Sequence, residues 1–71
     1  MSRGERRAIM KEALRISFET GKLTYALIRG SGFVIGDGYT ITQNEDEAFR
    51  LIHSRGYSLY AKCKDGRLLS D

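Results

Sequence analysis

The sequence predicts a small α+β domain in which two helices pack on one face of a mostly antiparallel sheet, in the order α-β-β-β-α-β(-β). Three observations predict it. Apolar residues recur at helical spacing from Ile9 to Phe18, and again from Ala48 to Ile52. Short runs with strand character occupy residues 23–29, 33–35, 39–42 and 57–64. Glycine clusters and an Asp-Gly pair punctuate those runs, and such residues mark turns because they reach backbone angles closed to most others.

The first helix is expected to start at Ser2-Arg3-Gly4-Glu5, whose Ser-x-x-Glu spacing is that of a capping box. It is expected to stop at Thr20-Gly21, where glycine can take the left-handed conformation that closes a helix. At 100° per residue, Ile9, Met10, Ala13, Leu14, Ile16 and Phe18 share one broad face, and Lys11, Glu12, Arg15 and Glu19 the other. Of the apolar set, Ile9, Met10, Ala13, Leu14 and Phe18 are expected to be buried against the sheet.

Residues 23–29 read as a strand, and Gly30-Ser31-Gly32 as a turn. Residues 33–35 and 39–42 are separated by Gly36-Asp37-Gly38. This predicts a three-strand meander; the alternative is one hairpin whose second strand bends at Gly36 to Gly38. The second helix has two candidate capping boxes, Thr42 with Glu45 and Asn44 with Glu47. Its apolar face comprises Ala48, Phe49, Leu51 and Ile52, and Ser54-Arg55-Gly56 ends it.

Residues 57–69 read as a closing hairpin with Asp65-Gly66 at its tip. Strict alternation puts Tyr57, Leu59, Ala61 and Cys63 on one face, and Ser58, Tyr60, Lys62 and Lys64 on the other. A two-residue turn makes Lys64 and Arg67 direct cross-strand neighbours, and like charges so placed destabilise a hairpin.

Composition bounds the function. Seventy-one residues make one domain with a small core, so oligomerisation, a homodimer included, or a partner is expected to supply part of the stability. The net charge is +3 and the pI near 9.3. Residues 1–36 hold seven Lys/Arg against three acids, residues 37–54 one against four, and residues 55–71 four against two. Two basic segments flanking an acidic one can steer an anionic partner. The single cysteine, Cys63, forms no internal disulfide, reads as a small buried residue and suits a reducing compartment. The N-terminal arginines lack an apolar stretch behind them, and no run has the length of a membrane span, so a cytoplasmic, membrane-free protein is expected.

No constellation for catalysis assembles, so no enzyme, cofactor or metal is expected. Glu45, Asp46 and Glu47 fall at a helix start, where carboxylates oppose the dipole, and their spacing is not that of a calcium loop. His53, the only histidine, falls in a last helical turn, where a cation is favoured. Gly30, Gly32 and Gly36 lack the final spacing of a dinucleotide fingerprint. Residues 29–36 are partly similar to the RNP1 stretch of the RNA-recognition motif, K/R-G-F/Y-G/A-F-V-x-F/Y: Arg29, Gly30, Gly32, Phe33 and Val34 match, while Ser31 and Gly36 replace aromatic residues. The likeness covers eight residues, and the first strand of that family has no counterpart ahead of the first helical pattern, so the chain is not assigned to it. The likeness implies Phe33 as a residue that would stack on a base.

Two sets of residues are candidates for partner binding. Arg3, Arg6 and Arg7 sit in the first turns of helix one, where cations oppose the macrodipole at a cost of a few tenths of a kcal/mol each. Tyr60, Lys62, Lys64 and Arg67 form a face of an aromatic residue with cations, although lysines on an edge strand also block edge-to-edge aggregation. The expected function is that of a non-enzymatic regulator or inhibitor docking stoichiometrically on a protein with an acidic surface, or on a nucleoprotein complex. In size alone the chain is similar to accessory proteins of phages and mobile elements, anti-CRISPR-type inhibitors among them. The alternative is a direct RNA- or DNA-binding module with weak affinity, using a basic-aromatic sheet face.

Overall fold

The computed structural model describes residues 3–29 and 38–69. Helix α1 spans Arg3–Thr20, strand β1 Thr24–Arg29, strand β2 Gly38–Thr42, helix α2 Glu45–Ser54, strand β3 Tyr57–Lys64 and strand β4 Arg67–Leu68. The four strands form one sheet ordered β2-β1-β3-β4, antiparallel at every junction. The expected α+β class with two helices and an antiparallel sheet is therefore what the chain adopts. The expected strand at residues 33–35, the choice between meander and bent hairpin, Phe33 and the capping residue Ser2 lie outside the described residues.

The helices do not share a face. Side chains alternate along β1, so Ala26 and Ile28 point to one side while Tyr25 and Leu27 point to the other. Ala26 packs with Ile9 and Ala13 of α1, together with Ala61 and Cys63 of β3. Tyr25 and Leu27 pack with Ala48 of α2, flanked by Leu51, Ile52 and Tyr57. The sheet is thus sandwiched, α1 on one side and α2 on the other. The reason is visible in β1: Thr24, Tyr25, Ala26 and Leu27 are all buried, and a strand apolar on both faces needs a cover on each.

On the α1 side the buried residues other than Ile9 are small, among them Ala13, Ser17, Ala26, Ala61 and Cys63. Small residues let the helix approach the sheet closely, but each contributes little burial energy. The largest fully buried apolar side chain is Leu27, on the α2 side; its burial contributes about 1.5–3 kcal/mol. Ile9 and Ala13 are buried as expected, and Met10 and Leu14 are partly covered. Phe18 departs from expectation, because the residue is 72% exposed. Ser17 takes the buried place beside it. The buried stripe of α1 is Ile9, Ala13 and Ser17, and Phe18 stands about 100° round the helix from Ser17, at the margin of the apolar face.

Polar contacts fix the corners. Gln43 Nε2 donates to Thr20 Oγ1 at 2.6 Å and to Thr24 Oγ1 at 3.2 Å, joining the end of α1, the start of β1 and the approach to α2. Asn44 is the N-cap of α2, its side chain accepting from Glu47 N at 3.0 Å. The Glu47 carboxylate accepts from the Thr42 hydroxyl, whose oxygen accepts the Asn44 N–H, both at 3.1 Å. Asn44 is therefore the cap, the candidate box of Thr42 with Glu45 does not form, and Thr42 instead relays between the Asn44 N–H and the Glu47 carboxylate. Gly21 and Gly56 take positive φ after the two helices, at 67° and 75°, as the left-handed helix stops require.

Candidate functional site

The β3–β4 turn carries the first part of the site. Asp65 and Gly66 have φ of 54° and 77°, the double positive of a type I′ turn. Lys64 and Arg67 face each other across it, as expected, and both side chains are exposed. Neither forms an ion pair with a described residue, unlike the exposed Arg15, which pairs with Glu19 at 3.1 Å. The turn is tied to α1. Gly66 N donates to the buried Ser17 Oγ at 3.0 Å, while the Ser17 hydroxyl donates to Leu14 O at 2.8 Å. Phe18 lies over the same glycine: a Cβ built at Gly66 would stand 3.1 Å from the Phe18 Cβ and Cδ1.

Leu68 pairs with Cys63, so it points to the α1 side, where Phe18 also lies. It is 56% exposed, and Leu69 beyond it is exposed as well. The hairpin therefore carries Phe18 and Leu68 as exposed apolar residues on the α1 side, while strand alternation turns the Lys64–Arg67 pair to the other face of the same turn. Phe18 and Leu68 were not among the residues that sequence reading selected; a core pattern extended by one turn hid the first, and a short strand gave no periodicity for the second.

The expected face of Tyr60, Lys62, Lys64 and Arg67 does not form. The β1–β3 register runs Ala26 against Ala61 and then Leu27 against Leu59, leaving Tyr60 as the extra residue of a bulge. A bulge breaks the alternation. Tyr60 joins the α1-side cluster of Ala61 and Cys63, whereas Tyr57, on the far side of the bulge, packs with the α2-side cluster. Lys62 remains opposite Tyr25 in the register and holds its ammonium 5.9 Å from the centroid of that ring, half-buried. This cation–π geometry gives Lys62 a partner inside the domain.

Tyr60 instead meets the other predicted set. Arg3, Arg6, Arg7, Met10 and Tyr60 line a shallow hollow of about 290 Å³. The arginines are exposed and make no ion pair among the described residues. No carboxylate lines the hollow. Sequence reading placed Tyr60 and the arginines on separate surfaces, and the bulge brings them together.

Burial pushes the Cys63 thiol above its ordinary range, which disfavours the thiolate and with it nucleophilic or redox chemistry. Burial, reinforced by Glu45, likewise raises the Tyr25 phenol. The His53 ring lies 4.1 Å from that of Phe49, which is exposed rather than part of the apolar face expected for α2. Among the described residues no group of three or more His, Cys, Asp and Glu is arranged to hold a metal ion, and no helix is long and apolar enough to cross a membrane. No family model, curated protein or solved structure matches the chain.

Proposed function

We propose that this chain is a non-enzymatic regulatory or inhibitory protein that docks stoichiometrically on a protein with an acidic surface, through its β3–β4 hairpin and the end of α1. The observation that carries this reading is Phe18, seated on Gly66 and largely exposed, at the same turn that the like-charged Lys64–Arg67 pair flanks. Neither feature stabilises the free domain. An exposed phenyl ring gains little from folding, and paired cations across a turn cost stability. Both suit an interface, where aromatic anchors supply burial and surrounding charges select the partner. The Ser17–Gly66 hydrogen bond holds the turn in place, so little ordering entropy is lost on docking. The buried free thiol of Cys63 fits a reducing, cytoplasmic setting.

The test is Phe18→Ser. The free domain should keep its melting temperature within a few degrees, because the ring is exposed. Retention of partners from native lysate by the immobilised variant should fall well below that of the parent protein. Equal retention of the same proteins by both would remove Phe18 from the interface.

A second reading, direct nucleic-acid binding, is supported by one separate observation, the hollow of Arg3, Arg6, Arg7 and Tyr60. Guanidinium forks bind phosphate and stack on bases, and a tyrosine ring offers a second stacking surface. With this hollow on the phosphate backbone and the hairpin on a protein, the chain would sit on a nucleoprotein complex. Titration of a labelled single-stranded oligonucleotide at two salt concentrations tests it. Affinity that falls steeply with salt and is lost in Arg6→Ala/Arg7→Ala supports the reading; absence of binding at low salt rejects it.

A further inference from the structure

The two edges of the sheet are built differently. β4 is two residues long, and its hairpin carries Lys64 and Arg67, the usual devices that stop an edge from pairing with another chain. β2, Gly38–Thr42, has five residues and none of those devices. It holds no charge and no proline. Its register with β1 runs without a shift from Tyr25 opposite Thr42 to Arg29 opposite Gly38, so no bulge bends it away. Among the described residues no strand pairs with its outer side.

We infer that β2 pairs antiparallel with β2 of a second copy of this chain, about a twofold axis through Thr40. The occupant follows from the strand's own order. An antiparallel self-pairing centred on Thr40 sets Gly38 opposite Thr42 of the other copy, and Tyr39 opposite its Ile41. Each dimer gains two aromatic/β-branched cross-strand pairs and one Thr–Thr pair, combinations that stabilise antiparallel ladders. It gains no like-charge contact, because the strand has no charges.

Among the described residues, the surroundings leave room for this. α1 lies over β1, β3 and β4, and Tyr39, on the α1 side opposite Ile28, is 50% exposed. Ile41 on the same side is partly buried against the α1 cluster and would lose its remaining exposure to the facing Tyr39. The joined sheet would run β4-β3-β1-β2 into β2-β1-β3-β4 of the second copy. Its two outer edges would then be the short, cationic β4 strands, so growth stops at two chains and the assembly is closed. The small core gives a reason for it: a domain of this size gains stability from oligomerisation. The docking hairpins stay free at the far edges, so this inference does not depend on the proposed function.

Sedimentation equilibrium across a concentration series tests it. The parent protein should show twice the 8.0 kDa chain mass at high concentration. Thr40→Lys, which places two cations face to face at the axis, should be monomeric while keeping the parent's far-ultraviolet circular dichroism. Should that variant unfold, Tyr39→Thr keeps strand propensity and removes the aromatic pair, and its dimer dissociation constant should be about tenfold higher than the parent's, equivalent to about 1.4 kcal/mol. Lys64→Ala/Arg67→Ala should dimerise like the parent. A parent protein monomeric throughout overturns the inference. So does a folded Thr40→Lys or Tyr39→Thr variant with the parent's dissociation constant.

Discussion

The backbone N–H of Gly66 is held by the buried hydroxyl of Ser17, 49 residues earlier in the chain, at 3.0 Å. That bond fastens the tip of the β3–β4 hairpin to α1, and the same hydroxyl spends its proton on Leu14 O. An edge hairpin with a two-residue return strand would otherwise fray. Ser17→Ala leaves the Gly66 amide without its partner in a covered site, which costs about 1–3 kcal/mol. The melting temperature should fall accordingly. Amide exchange at Gly66 should accelerate more than exchange at Ala26 in the central strand.

Burial sets a contrast between two leucines. Leu27 is fully buried against α2, so Leu27→Ala should cost about 2–5 kcal/mol. Leu14 is only partly covered by the α1 cluster, so Leu14→Ala should cost clearly less. Thermal or urea unfolding of the two variants checks the order. A larger loss at Leu14 would place the weight of the core on the α1 side.

Alkaline pH should destabilise the domain. Burial raises the Cys63 thiol above its ordinary 9.0 and, with Glu45, the Tyr25 phenol above its ordinary 10.0. In both cases the native state holds its proton more tightly than the unfolded chain. The stabilisation is therefore complete below the unfolded value and is lost as pH rises through the folded one. Stability should decline from about pH 9 through Cys63, then further above pH 10 through Tyr25. Urea denaturation at a series of pH values should show both phases, and Cys63→Ala should remove the first alone.

Local features of the fold were legible in the sequence where one residue type decides the backbone. Gly21 and Gly56 stop the helices, Asn44 caps α2, and Asp65-Gly66 makes the type I′ turn. Features decided by pairing partners were not. The bulge at Tyr60 has no glycine or proline to announce it, since residues 57–64 run on in uniform strand character. It arises from how β3 meets β1, and it alone moves Tyr60 from the lysines to the arginines. The opposite placement of the helices had a readable signal. Residues 25–28 are apolar at every position, which marks a strand covered on both faces. Phe18 and Phe49 were misread for a shared reason: each stands about 100° round its helix from the last buried residue, Ser17 or Ala48, at the margin of an apolar face drawn too broadly.

The central claim is that the cations of the hairpin serve a partner rather than the fold. Lys64→Ala/Arg67→Ala, measured side by side in a thermal melt and in a binding assay against the partner retained by the parent protein, tests it most directly. Relief of the cross-strand repulsion should leave the melting temperature equal or higher, while binding weakens, chiefly through slower association. A variant that melts lower and binds its partner as well as the parent would contradict the account.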